Sequence, residues 1–146
     1  MFIVEEDLLT RIREDYLHQL TDGDNCIIET AVQDAITMIE NKLDELYDFS
    51  ELWQKTAHER NRVAVLLVKS IVLHILYERA PDDDTPTSVR DNYKWAMSTL
   101  DNGANGKPIN LPKLTKGDAS SEVITTRRWN SDQKRSHGMY TRKRAN

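Results

Sequence analysis

A chain of 146 residues, 30% charged and 38% apolar, has the length of one domain and the make-up of a protein that folds in water. Its one cysteine, Cys26, excludes an internal disulfide and any Cys-rich metal site. The net charge of −4 hides a division: Thr115 to Asn146 carries eight Lys/Arg against three Asp/Glu, a balance of +5, which leaves −9 for residues 1–114 and suggests an acidic body with a basic arm.

Phe2-Ile3-Val4 is apolar and extended in character, and Glu5-Glu6-Asp7 follows, where carboxylates favour the positive end of a starting helix. With acidic residues this early there is no basic-then-apolar signal pattern, so the chain is expected to be made and kept in the cytosol of its producing cell. Leu8, Leu9, Ile12, Tyr16 and Leu20 repeat at helical spacing and predict one continuous first helix. Thr21 to Asn25 breaks it, with Asp or Asn capping the next helix. That second helix is predicted from Cys26 to Leu46, with Ile28, Val32, Ala35, Ile36, Ile39, Leu43 and Leu46 as its buried stripe. Ser50 to Trp53 reads as a single turn that carries Phe49 and Trp53 as a cap over the core.

The stretch Arg60–Arg79 is the longest apolar run and contains no Gly or Pro. As a helix it is apolar nearly all round, so it must be buried on several sides. Lys69, Ser70 and His74 interrupt it and its clean part is too short for a membrane span, so no membrane partner is expected. Ala80-Pro81 ends it, and a polar loop leads to a helix predicted from Thr87 to Leu100 with Val89, Tyr93, Ala96, Met97 and Leu100 on one face. Gly103 is read as the residue that stops this helix. The fold class that results is all-α: a small four-helix bundle around a central apolar helix at about 60–80, with an extended C-terminal arm. The helical domain spans 1–114 and the arm 115–146, which is expected to be extended or disordered when the protein is alone.

The four histidines show no His-x-x-x-His or His-Glu-x-x-His spacing, so no metal site is expected. His74, inside the apolar helix, reads as a hydrogen-bonded core or interface histidine. Cys26 sits at a helix start, where a thiolate could be stabilised, but without a histidine partner pattern it reads as a small packed residue. Asp82-Asp83-Asp84 lacks the spaced ligands, glycine and distal glutamate of a calcium loop. No phosphate-cradling, dinucleotide or nucleophile-elbow motif occurs, so neither a cofactor nor a catalytic residue is assigned and the chain is not expected to be an enzyme. In the arm, Arg127-Arg128-Trp129, Lys134-Arg135, Tyr140 and Arg142-Lys143-Arg144 interleave cations with aromatic rings. Such a segment can bind a phosphate backbone or lie on an acidic protein surface with Trp129 as anchor.

In chain order, Phe2-Ile-Val-Glu-Glu-Asp-Leu8, Leu46-Tyr-Asp48, Glu59-Arg60-Asn61, Leu73-His-Ile-Leu-Tyr77, Glu78-Arg79-Ala-Pro81, Ser88-Val-Arg90, Tyr93, Ala96, Leu100, Gly106-Lys-Pro-Ile109 and Leu111-Pro112 resemble the Mu-like family of tailed-phage structural proteins, the small helical head–tail connectors or adaptors. The resemblance covers roughly residues 2–114. It implies a non-enzymatic virion component at the head–tail junction, made in the cytoplasm of a bacterial host. Such adaptors form a homo-oligomeric ring of about twelve copies under the portal protein. The ring extends the channel for double-stranded genomic DNA and presents a surface to later tail or stopper proteins. On this reading some of the girth of the central helix serves a subunit boundary, with Phe49, Trp53, Lys69 and His74 as candidate interface residues. The arm then becomes a docking segment for the portal or neighbouring subunits. The alternative is a nucleic-acid-binding protein that grips DNA with the same basic tail.

Overall fold

The computed structural model describes residues 1–43, 45–80 and 85–114. Among these residues five α-helices follow one another: α1 (Glu5–Leu9), α2 (Glu14–Thr21), α3 (Asn25–Leu43), α4 (Arg62–Tyr77) and α5 (Thr87–Ala104), with a 3₁₀ turn at Ala57–Glu59 before α4. Among the described residues there is no strand, only an isolated antiparallel bridge between Tyr47 and Lys113. The fold is all-α, as the periodicities predict, and Met1–Lys113 forms one compact unit.

Helix α4 is central because its sequence leaves no face suited to water. Ala64, Leu67, Val68, Ile71, Val72, Leu73 and Leu76 are buried, and Val63, Val65, Ile75 and Tyr77 pack against the core from partly buried positions. Its contacts run to α1, α2, α3 and α5. Each fully buried aliphatic side chain contributes about 1.5–3 kcal/mol relative to exposure. Asn61 starts the helix: its side-chain oxygen accepts from the backbone N–H of Val63 at 2.9 Å and of Ala64 at 3.1 Å. No helix among the described residues is long and apolar enough to cross a membrane.

The predicted first helix is two helices. Thr10 to Arg13 interrupts it, and Arg13 takes an extended conformation (φ −74°, ψ 147°) before its carbonyl accepts from Tyr16 and Leu17. Side chains of α4 hold the break. The Lys69 ammonium donates to the Thr10 hydroxyl at 2.6 Å, and Arg11 donates to the Ser70 hydroxyl at 2.9 Å. The interruption lets Leu8, Ile12 and Leu17 all enter the core, whereas Leu9 and Tyr16 of the predicted stripe are exposed. One straight helix could not bury both Leu8 and Leu17, which lie about 180° apart on its wheel.

Two further predicted boundaries move. Helix α3 ends at Leu43, and Leu46, the last member of the expected stripe, is 41% exposed, because the chain turns there to bury Tyr47. Helix α5 runs past Leu100 to Ala104 with Gly103 buried inside it rather than beyond its end. An added Cβ at Gly103 would collide with Ile109 and come within 3.0 Å of Leu43 Cδ2, so this glycine allows close packing; beyond the helix end, Gly106 (φ +83°) takes the left-handed conformation. The segment after α5 returns across the unit: Asn61 donates to the Asn110 carbonyl at 2.9 Å, Leu111 is buried, and the Asp48 N–H donates to the Pro112 carbonyl at 2.9 Å.

Candidate functional site

The approach to α4 is organised by Arg60. Its guanidinium grips Asp7 bidentately, at 2.6 and 2.9 Å, and donates to the Phe2 carbonyl at 2.8 Å and the Ala57 carbonyl at 3.1 Å. A fork of this kind is the strong form of an ion pair. Asp7 also accepts from the Val4 N–H at 3.0 Å, so one carboxylate holds the start of α1 and the start of α4 together. The Arg60 hydrogen bonds hold the Asp7 carboxyl below the usual carboxylate range against the opposing effect of burial. Ala57 sits at φ +49°, in the left-handed region that costs a residue with a Cβ about 1–2 kcal/mol. The bond from Arg60 to its carbonyl is part of what maintains it.

Beside this junction lies a cavity of about 300 Å³. Arg62, Val65, Leu66 and Lys69 line it, spaced i, i+3, i+4, i+7, and are therefore one face of α4. Ala57, His58 and Arg60 complete the wall. Lys69 is only 8% exposed. Burial first, and then the positive charges of Arg11, Arg60 and Arg62, push its ammonium below the ordinary lysine value, with Asp7 opposing. Among the described residues no carboxylate pairs with Lys69, Arg62 or Arg11.

Of the predicted interface residues, Phe49 and Trp53 lie between α3 and the 3₁₀ turn and Lys69 and His74 lie on α4, in different environments. Phe49 stacks on Trp53 (centroids 5.7 Å, planes 3° apart), and Phe2 meets Trp53 edge-on at 5.0 Å. The Trp53 indole N–H donates to Glu40 of α3 at 2.7 Å. Both rings are partly buried against the core. His74 stacks on Tyr93 of α5 with centroids 3.8 Å apart and lies 3.4 Å from Glu78 one turn on. These three aromatic residues thus have partners within their own chain, and Lys69 lines the cavity. Arg127, Arg128, Trp129, Lys134, Arg135, Tyr140, Arg142, Lys143 and Arg144 lie outside the described residues, as does the Asp82–Asp84 run.

Cys26 departs from both readings of it. It is exposed rather than packed, and the Asp24 carboxylate beside it pushes the thiol up rather than down. Asp24 is there to cap α3, accepting from the Cys26 N–H at 2.9 Å. No group of three or more potential metal ligands forms among the described residues.

Arg60, Arg62, Arg11 and Thr10 are not among the site residues expected from the sequence. A signal was present: a helical face that begins and ends in a cation seven residues apart, with two aliphatic residues between. The apolar content of the run masks it.

No curated protein and no solved structure matches the chain. The family model described as "Bacteriophage Mu, Gp36" matches residues 2–124, beyond the Leu114 limit of the resemblance seen in the sequence. Since the match covers most of its length, the chain belongs to this family of bacteriophage proteins.

Proposed function

We propose that the chain is a structural, non-enzymatic virion protein: a head–tail adaptor whose copies form a ring under the portal, extend the DNA channel and link capsid to tail. Membership of the Mu-like phage family carries this reading. The charge division supports it. A body of −9 gives a ring lumen that repels the DNA phosphates and lets the duplex slide without adhering. The arm from Thr115 onward, with Arg127-Arg128-Trp129 and Arg142-Lys143-Arg144, supplies the docking segment for the portal or a neighbouring subunit. Its cations complement an acidic surface and Trp129 anchors it.

The test is to image phage particles that contain this protein. A ring of copies between capsid and tail is expected. Copies confined to the capsid shell or the tail tube, or absent from the particle, would overturn the assignment.

A further inference from the structure

We propose that the cavity on the Arg62–Lys69 face of α4 receives a carboxylate side chain from a second copy of this chain, making it one half of a head-to-tail subunit contact. The proposal rests on the ring reading and deepens it.

Of the twelve Lys/Arg in residues 1–114, four converge here: Arg11, Arg60, Arg62 and Lys69. Asp7 is the one carboxylate among them, and the fork of Arg60 and the Val4 N–H already occupy it. The cluster therefore carries +3, and the remainder of residues 1–114 carries −12. A compact cationic site on an otherwise acidic body is complementary to a different face of the same body. That is the arrangement of a heterologous contact, which closes into a ring when its rotation allows.

The cavity's chemistry selects the ligand. Lys69 offers three N–H donors, and among the described residues one is used, toward Thr10. A largely buried lysine whose ammonium borders a cavity with two donors to spare gains from an acceptor that arrives there. Arg62, exposed at the mouth, can close on the same acceptor. Val65 and Leu66 form an apolar floor between the two cations, suited to the methylene groups of Asp or Glu. A duplex phosphate has no such stem, and the backbone it sits on is convex, whereas the Lys69 ammonium is recessed.

The experiment is sedimentation of the full chain over a range of concentrations, in about 50 mM and about 500 mM salt, with Arg62→Glu and Lys69→Met beside the wild type. Wild-type self-association that weakens with salt is expected, with dissociation constants raised about tenfold or more in both variants. Thermal unfolding confirms that each variant is folded, and Lys69→Met is chosen because it keeps the length of the side chain. If the wild type assembles and both variants assemble equally well, the pocket assignment is overturned and the ring stands. A wild type that remains monomeric throughout overturns the second-copy assignment, and the particle image then decides the ring independently. A titration with a short DNA duplex forms the third arm. Duplex binding lost in both variants while self-association is unchanged would reassign the cavity to phosphate.

Discussion

Replacing Lys69 by methionine should stabilise the isolated body by about 1 kcal/mol at neutral pH, because it removes a buried, unpaired ammonium and keeps its volume. The cost of losing the bond to Thr10 is small: that hydroxyl still donates to the Asp7 carbonyl at 2.7 Å and is open to water. The sign of the pH dependence follows from the lowered pKa. Between its folded value and the ordinary 10.5, the unfolded chain holds the proton that the folded chain has lost. Wild-type stability should therefore rise across that alkaline window, and the Lys69→Met protein should lack the rise, as denaturant titrations at a series of pH values can show. Asp7, whose pKa is also lowered, gives the same sign at the acid end. Its contribution is present above the ordinary 3.8 and is lost as pH falls through its lower folded value. Asp7→Asn should flatten that acid limb. Arg60→Ala, which strands a largely buried carboxylate and two backbone carbonyls, should cost about 2–3 kcal/mol in the same titration.

At the scale of elements, Asn61 separates two effects that one alanine substitution would merge. Its oxygen caps α4 and its amide donates to Asn110. Asn61→Ala should lose both, about 1–2 kcal/mol, while Asn61→Asp keeps the cap and should lose about half of that. Chemical denaturation of the two variants side by side checks the difference. What the sequence shows of the elements is uneven for physical reasons. The α3 and α4 runs were legible because long periodic stretches determine which face is buried. The break at Thr10–Arg13 was not, because Lys69 and Ser70, some sixty residues away, hold it with side-chain bonds that no local pattern announces. Gly103 misled for the opposite reason. A glycine near a helix end usually marks the end, and here it answers to Ile109 and Leu43 packing on the helix flank. The cationic cavity was half legible: the i, i+7 spacing of Arg62 and Lys69 is in the sequence, but the arrival of Arg11 and Arg60 depends on the same tertiary contacts that break the first helix.

At the scale of the whole molecule, the +5 arm and the −9 body are expected to have separable roles, and deletion of residues 115–146 tests this directly. The body's core, from Phe2 to Leu111, lies wholly before the deletion. Unfolding of the truncated chain should therefore follow that of the full chain to within about 0.5 kcal/mol. Association should not survive so well. If the arm docks on an acidic protein surface, truncation weakens binding to the portal and to neighbouring subunits while the folded body is retained. Undiminished ring assembly and portal capture would sink the arm's docking role. A gel-shift titration of both forms at two salt concentrations separates this from the competing use of the same cations. Phosphate binding by the arm would appear only in the full chain and would fall steeply as salt rises, since each neutralised phosphate releases counterions. Binding through Trp129 into a protein pocket would be less sensitive to salt, because the anchor's apolar burial persists when the charges are screened. The two charge regions thus make opposite demands on the same experiment. Raising the salt should weaken a Lys69-centred subunit contact and relax the repulsion between acidic bodies, so the expected net weakening of assembly requires the contact to outweigh that repulsion.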